Sequence, residues 1–321
     1  ESKAGRYREF WQYGCEIIGA SGPLTEAEVV GFACSILDAA GLVDWELRVG
    51  NVGVLKDVLS GLALEGAAVG DAMRLLDKGD FDALAALGID TAGTELLRAL
   101  AGLEGGAEAI PRARDILTGM GITTSSLDDL EQMLDALAAL APAPPSLTVD
   151  FTIARGLDYY TGMVFEIDVA ELGGEGQVCG GGSYNLLHLF DLADLDPCCG
   201  FGLGFDRVLI ALERQAERLG RAEVVPGENS GPGTLTVIPF KVDPAVVLPL
   251  VGELRAAGEQ VLLELRERIL GRSMSWADAC GAEFALIVGP RDLEAGEATI
   301  KRLSDGEQRT TRIESSAVIS T

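Results

Sequence analysis

The segment ARGLDYYTG, residues 154–162, combines an arginine, a glycine and two adjacent tyrosines at a predicted loop–strand junction. Arg155 is permanently charged, and its planar guanidinium can form paired hydrogen bonds with a carboxylate or a phosphate. The hydroxyls of Tyr159 and Tyr160 can donate or accept, which suits a substrate with a polar ring. Taken alone, the segment is explained equally well by a surface arginine beside two half-buried aromatic residues.

A second candidate is the string GFGLGFDR, residues 200–207, in which glycines alternate with large apolar residues. The period of two in a strand places Gly200, Gly202 and Gly204 on one face. Glycines on one face weaken a strand unless something approaches its backbone closely. A flat ring such as adenine is a natural candidate, with Arg207 at the end of the strand to meet its phosphates. Tight packing against a helix is the alternative.

The N-terminal string GRYREFWQYGCE contains two arginines in a predicted polar loop, followed by a predicted strand. Arg6 and Arg8 can bind RNA or the phosphates of ATP. Gln12 and Glu16 share one face of the strand across a glycine, so an amide and a carboxylate converge there. This arrangement suits a small zwitterion with ring N–H groups. Solvated loop arginines and a half-exposed glutamate are the more common outcome for such residues.

The remaining reactive residue types favour structural roles. The consecutive glycines of GGGSYN, residues 180–185, permit either a substrate-facing loop or a simple turn. We interpret His188 as a helix-packing residue, and Cys198 and Cys199 as small core residues. The six cysteines are scattered and there is one histidine, so neither a zinc site nor a disulfide framework is indicated. This pattern favours a reducing, cytoplasmic compartment.

Composition and charge limit the number of domains and the classes of protein that fit the sequence. The 321 residues are 48% hydrophobic, which suffices for two or three domains with large cores. No run is long and apolar enough to span a bilayer, and no signal peptide is recognisable. The formal net charge is −25, whereas nucleic-acid binders are usually positive. High internal salt or a GC-rich genome explains this charge better than a functional role does, and salt screening leaves RNA binding possible.

Hydrophobic periodicity and Gly/Pro content divide the chain into five parts. Strand and helix patterns up to residue 50 give way to helical periodicity over 51–146, and predicted antiparallel strands return over 147–222. The Gly/Pro-rich stretch 223–233 is typical of a linker. Beyond it, over 234–321, strands alternate with helices, which predicts a small α/β domain with a largely parallel sheet.

In the order in which they occur along the chain, GRYREFWQYGCE, RGLDYYTGMVFE, GGGSY and GFGLGFDR resemble the corresponding strings of histidyl-tRNA synthetases. GGGSY and GFGLGFDR resemble the archaeal branch of that family. RGLDYYTG is specific to this family and its close relatives, and the tail GRSMSWADACGAEFALIVGPRDL is similar to their anticodon-binding domain. The resemblance covers essentially the whole chain. It implies an α+β class II synthetase fold, with an antiparallel catalytic core over 1–50 and 147–222. It also implies a helical insertion over 51–146 and an α/β anticodon-binding domain over 234–321.

The resemblance also implies an activity. Histidine would be activated by ATP with Mg²⁺ to histidyl-adenylate and then transferred to tRNA(His), by a cytoplasmic homodimer without membrane attachment. Arg155 would bind the substrate carboxylate and the α-phosphate as the catalytic residue. The implied substrate-binding residues are Gln12, Glu16, Tyr159 and Tyr160 for histidine, and Arg6, Arg8, Gly202, Gly204 and Arg207 for ATP. Within the second set, Arg207 would meet the γ-phosphate.

Two departures from the family pattern bear on these implications. The chain begins within the second family motif, so the first motif and an upstream phosphate-binding arginine are absent, and we expect this polypeptide alone to be incomplete as an enzyme. GGGSYN replaces the commoner GGGRYD, which leaves the role of Ser183 open. The main alternative is a non-catalytic relative, either a regulatory subunit of ATP phosphoribosyltransferase or a sensor of uncharged tRNA. Such relatives tend to lose Arg155 or the C-terminal domain, and both are present here.

Overall fold

A computed structural model describes residues 9–122, 124–141, 143–153, 159–220, 234–266 and 268–319. They fall into two compact units, one drawn from Glu1–Asp135 and Ala143–Val225 and the other from Ala136–Pro142 and Pro226–Thr321. The predicted linker lies outside the described residues. Within the described part of the chain, no helix is both long and apolar enough to cross a membrane.

The first unit is built on a six-stranded sheet with strand order β1-β6-β5-β4-β2-β3. All neighbouring strands run antiparallel except β2 and β3, which are parallel, so the predicted antiparallel core is confirmed. The strands are β1 (Gln12–Ile18), β2 (Glu46–Asn51), β3 (Ser146–Val149), β4 (Tyr160–Asp168), β5 (Gln177–Tyr184) and β6 (Cys198–Gly204).

One face of this sheet packs against the helix α1 (Pro23–Ala40), which ends at Gly41 in the left-handed conformation, with φ of 86°. Phe201 is the centre of the packing. Its ring lies edge-on to Phe32 of α1 at 6.1 Å and to the fully buried Phe165 at 6.4 Å. Because strand side chains alternate, the neighbours of Phe201 in sequence, Gly200 and Gly202, face the opposite way.

The stretch predicted to be helical is helical in the structure. It contains α2 (Val52–Gly61), α3 (Ala67–Asp77), α4 (Thr91–Ala101), α5 (Ala109–Gly119) and α6 (Ser126–Leu140). Asn51 and Asp90 cap α2 and α4, each accepting a backbone N–H at 2.8 Å. A seventh helix, α7 (Phe205–Leu219), follows β6 directly, as the sequence predicts.

The second unit has a five-stranded sheet with order β11-β10-β9-β7-β8. Its elements are β7 (Leu235–Pro239), α8 (Leu248–Ala256), β8 (Val261–Leu263), α9 (Leu270–Ala279), β9 (Phe284–Val288), α10 (Pro290–Ala295), β10 (Glu297–Arg302), β11 (Gln308–Arg312) and α11 (Ser315–Ile319). β7 runs parallel to β8 and β9, whereas β10 is antiparallel to both β9 and β11. The prediction of a largely parallel sheet is therefore wrong for β9, β10 and β11. Short connections join these three strands, whereas parallel pairing needs a long crossover.

Two local predictions also need correction. GGGSY is not a loop, because residues 180–184 lie inside β5. His188 is not a helix-packing residue. It lies in a single 3₁₀ turn, its side chain is 52% exposed, and its Nδ1 lies 3.2 Å from Oδ2 of Asp196. One turn is too short to bury a face. The prediction for Cys198 and Cys199 is confirmed, since both are fully buried.

Candidate active site

A cavity of about 870 Å³ opens over the face of the first sheet that α1 does not cover, where β1, β4, β5 and β6 contribute its floor. The floor is made largely of glycine. Gly14, Gly202 and Gly180 pair with one another in one row across three strands. In the next row, Gly200 lies between Glu16 and Gly182. These five glycines on one face of three strands leave room for a ligand to approach the backbone.

Glycine at position 200 is required by the neighbouring strand β1. A β-carbon there would lie 2.6 Å from the backbone carbonyl oxygen of Cys15 and would also collide with the carboxylate of Glu16, whereas one at Gly202 would lie 3.3 Å from Nε2 of Gln12. Gly14 is equally constrained, because its β-carbon would lie 2.8 Å from the carbonyl oxygen of Phe201. The absent side chains therefore make space for the two polar side chains of β1 as well as for a ligand.

Gln12 and Glu16 both line the cavity, as the alternation in β1 predicts. The hydroxyl of Tyr184 donates a hydrogen bond to Oε2 of Glu16 at 2.7 Å, and so fixes the direction of the carboxylate. An amide and an oriented carboxylate on one wall can accept hydrogen bonds from an ammonium group or from ring N–H groups.

Three tyrosines form a second wall. The ring of Tyr159 lies 4.6 Å from that of Tyr160 and 5.7 Å, edge-on, from that of Tyr184. Burial raises the pKa of Tyr160 and of Tyr184 well above the ordinary value, and for Tyr184 the hydrogen bond to Glu16 adds to the effect. Both phenols therefore remain neutral hydrogen-bond donors. Sequence reasoning did not single out Tyr184, although it shares a strand face with Gly180 and Gly182.

Arg207, in the first turn of α7, lies at the other end of the cavity beside Gly204. Its Nη1 donates to the backbone carbonyl of Gln177 at 2.5 Å, which anchors the guanidinium to the start of β5. Gln177 and the buried Glu166 complete this wall, and neither was selected from the sequence. The cavity thus has a carboxylate and phenols at one end and a guanidinium at the other.

Ser183 faces away from the cavity, because it alternates with Gly182 and Tyr184 along β5. Its hydroxyl lies 2.5 Å from Oε1 of Glu26 in α1, and both side chains are buried. Burial raises the pKa of Glu26, although the hydrogen bonds from Ser183 and from the backbone N–H of Met163 lower it in part. The structure therefore gives Ser183 a role in packing α1 to the sheet.

Three of the predicted site residues, Arg6, Arg8 and Arg155, lie outside the described residues. The structure brings together the other seven, since all of them line the one cavity: Gln12, Glu16, Tyr159, Tyr160, Gly202, Gly204 and Arg207. Across the described ranges, no group of three or more His, Cys, Asp or Glu side chains is arranged to hold a metal ion.

Comparison with known proteins places these features in a class. Residues 1–208 match the family described as histidyl-tRNA synthetase, and residues 235–319 match the anticodon-binding domain. The two matches together assign the chain to the aminoacyl-tRNA synthetases. More particularly, the chain belongs to the histidyl-tRNA synthetase family.

Individual relatives agree with this assignment. The chain is 37% identical over 308 residues to a histidine–tRNA ligase of Methanoregula boonei, covering 95% of this chain and 68% of that protein. It is 35% identical to the corresponding ligase of Archaeoglobus fulgidus, covering 95% and 69%. Among solved structures, the histidyl-tRNA synthetase from Nostoc sp. PCC 7120 aligns with a TM-score of 0.58 and 22% identity, covering 95% of this chain and 72% of that one. This last likeness concerns the fold.

Proposed function

We propose that this chain acts as a histidine–tRNA ligase that binds histidine and ATP in the glycine-floored cavity. The observation that carries this proposal is the carboxylate of Glu16, which Tyr184 fixes by a hydrogen bond of 2.7 Å and which shares one face of β1 with Gln12 in the lining of the cavity. Histidine presents an ammonium group and a ring N–H, which these acceptors suit. Selection through such hydrogen bonds is strong, because an analogue that lacks them would cover these polar groups and leave them unpaired.

The proposed reaction has two steps. The carboxylate of histidine attacks the α-phosphorus of ATP, an oxygen–phosphorus bond forms, and pyrophosphate leaves. A terminal ribose hydroxyl of tRNA(His) then attacks the carbonyl carbon of the adenylate, and AMP leaves. Both steps need positioning and stabilisation of negative charge on oxygen, so fixed arginines serve in place of a protein nucleophile. We assign this stabilisation to Arg155 by the family resemblance.

The nucleotide end of the cavity is assigned to Gly202, Gly204 and Arg207. A base can approach the two glycines closely, and the guanidinium of Arg207 can meet phosphate oxygens. Arg6 and Arg8 are assigned, by resemblance, to ATP and the acceptor end of the tRNA. Mg²⁺ would enter the site bound to the phosphates of the nucleotide.

The second unit is proposed to bind the anticodon of tRNA(His), with Arg266, Arg268 and Arg272 as contacts. Arg268 is held between Oε2 of Glu264 at 3.5 Å and the ring of Trp276 at 5.8 Å. An arginine and an aromatic ring together form a surface on which an unpaired base can stack. We also propose a cytoplasmic homodimer.

Histidine-dependent exchange between ATP and pyrophosphate tests the function directly in the full-length gene product. Arg155→Ala should reduce the rate on the order of a hundredfold to a thousandfold, which is the usual effect of removing one charge-stabilising donor. The fold should survive, as judged by circular dichroism. A wild-type protein that binds histidine or tRNA but shows no exchange would instead support the regulatory or tRNA-sensing alternative.

A further inference from the structure

A chain of polar side chains leads from the nucleotide end of the cavity into the outer strands of the first sheet. It consists of Gln177 at the start of β5, Glu166 in β4 and Arg48 in β2. Nε2 of Gln177 donates to Oε1 of Glu166 at 2.9 Å, and Nη2 of Arg48 donates to Oε2 of the same carboxylate at 2.9 Å. Glu166 is only 3% exposed, and each of its carboxylate oxygens has a donor.

The donors and acceptors in this series of hydrogen bonds are fixed by the chemistry of the side chains. Arg48 can only donate, so the side chain at position 166 must present an acceptor to Arg48. Arg48 also donates to Asp168 at 2.8 Å. Its partial burial would lower its pKa, but Glu166 and Asp168 outweigh that effect and raise it. With its second oxygen accepting as well, Glu166 determines which end of the Gln177 amide faces it.

The side chain of Gln177 is held by Glu166 and by the space over Gly180, and its backbone carbonyl binds Arg207. A β-carbon at Gly180 would lie 2.6 Å from Nε2 of Gln177, so the side chain occupies the space that this glycine leaves. The backbone carbonyl of Gln177 accepts the 2.5 Å hydrogen bond from Nη1 of Arg207. Gln177 therefore connects Glu166, which holds its side chain, with Arg207, which binds its backbone carbonyl at the nucleotide end of the cavity.

We infer that Glu166 is a positioning residue for nucleotide binding: together with Arg48 it fixes Gln177, and through Gln177 it fixes Arg207. This inference rests on the proposed function, because it takes Arg207 as a contact of ATP. Its effect should fall on the KM of ATP, while the histidine end of the cavity, around Glu16 and Tyr184, should be unaffected.

The test is pyrophosphate exchange by full-length variants, with ATP and histidine varied in turn. Glu166→Gln replaces one accepting oxygen by an amide NH₂, so the Gln177 amide must either turn its oxygen towards position 166 or leave two donors opposed. In both cases Gln177 loses the orientation that Glu166 gives it. We expect the KM of ATP to rise about tenfold, the magnitude of one lost hydrogen bond to a charged group, with the KM of histidine changed less than about twofold. A general loss of stability would lower the amount of active enzyme without moving the KM of ATP.

Exchanging the two side chains provides a rescue. In Glu166→Gln with Gln177→Glu, the carbonyl oxygen at 166 accepts from Arg48 and its NH₂ donates to the new carboxylate. The double variant should therefore have a lower KM for ATP than either single variant, which is the signature of a direct coupling. Glu171→Gln is the matched control. Glu171 also contacts an arginine and a glutamine amide, Arg218 and Gln215, but it does not line the cavity.

Arg207→Ala separates this inference from the proposed function. If Arg207→Ala raises the KM of ATP and Glu166→Gln does not, the positioning role is wrong and the proposed function stands. A double variant no better than the single ones overturns the positioning role as well. If Arg207→Ala leaves the KM of ATP unchanged, the inference falls with the assignment of Arg207. Histidine-dependent exchange by the wild type would still support the ligase.

Discussion

At the scale of single residues, the site works through hydrogen-bond geometry. Glu16 accepts from Tyr184, and Arg207 donates to a backbone carbonyl, so groups with opposite preferences stand at the two ends of one cavity. Each of these side chains has a partner that sets its direction before any ligand arrives. Such preorganisation lowers the cost of ordering side chains on binding.

Tyr184→Phe should weaken histidine binding selectively. The substitution keeps the ring against Tyr159 and removes only the hydroxyl that orients Glu16. We expect the KM of histidine to rise about tenfold, since hydrogen bonds to charged groups contribute roughly 1.5–3 kcal/mol. Pyrophosphate exchange at varied histidine measures the effect, and the KM of ATP serves as the internal control. Equal increases in both constants would contradict this role.

Glu26→Gln should make stability less sensitive to pH. Burial raises the pKa of Glu26 above its ordinary value of 4.5, so the folded protein holds the proton more tightly than the unfolded chain. The stability that this group contributes is therefore greatest below the unfolded pKa and decreases as the pH rises towards the folded pKa. The amide introduced by the substitution would keep an oxygen to accept from Ser183 and Met163, and it cannot ionise.

For this variant, we expect a melting temperature about 3 °C above that of the wild type at pH 8, which corresponds to roughly 1 kcal/mol for a unit of this size. The difference should shrink at pH 5. Calorimetry over this range measures both values. A difference independent of pH would show that ionisation of Glu26 does not contribute.

At the scale of elements, β1, β5 and β6 leave one sheet face nearly bare. Gly202→Ala tests whether the nucleotide base binds in the space left by these missing side chains. Its β-carbon would meet only the end of the Gln12 side chain at 3.3 Å, so the fold should tolerate it. We expect the KM of ATP to increase about tenfold or more, with little change in melting temperature, because a methyl group would occupy space that the base needs.

Gly119→Ala is the matched control, since a β-carbon at this last residue of α5 has nothing within 4 Å. It should leave both Michaelis constants unchanged. If Gly202→Ala behaves in the same way, the base does not lie on this part of the floor.

At the scale of the whole molecule, charge is unevenly distributed. The chain carries 25 basic and 50 acidic side chains, whereas residues 234–321 hold ten basic and thirteen acidic ones. Most of the excess negative charge therefore lies outside the proposed anticodon-binding domain. A cluster of arginines in a mildly acidic domain can still bind RNA, and such contacts weaken as salt rises.

Arg266→Ala combined with Arg272→Ala should reduce aminoacylation of tRNA(His) and spare pyrophosphate exchange. Two lost phosphate contacts should weaken tRNA binding on the order of tenfold and reduce its dependence on salt. The control is Arg309→Ala with Arg312→Ala, which removes two exposed arginines from β11 of the same unit. Equal losses of aminoacylation and exchange would mean that the arginines support the fold and do not contact RNA.

Features that depend on near neighbours in the chain could be predicted from the sequence alone. Period-two alternation placed Gln12 with Glu16 and aligned the glycines of β6, and helical periodicity identified the region from α2 to α6. These predictions succeed because side-chain direction within one element follows from local backbone geometry. GGGSY was missed as a strand because glycine has little intrinsic preference for strands, whereas the neighbouring strands β4 and β6 hold it in the sheet.

Which elements contact one another could not be predicted in this way and follows from the tertiary fold. Tyr184 reaches Glu16 across 168 positions of sequence, Ser183 reaches Glu26 across 157, and Arg48 reaches Glu166 across 118. Their encounters depend on the strand order β1-β6-β5-β4-β2-β3, in which most neighbours in space are distant along the chain. Periodicity relates a residue to its own strand and carries no information about the strand that pairs with it. The partners that orient the site therefore follow from long-range pairing alone.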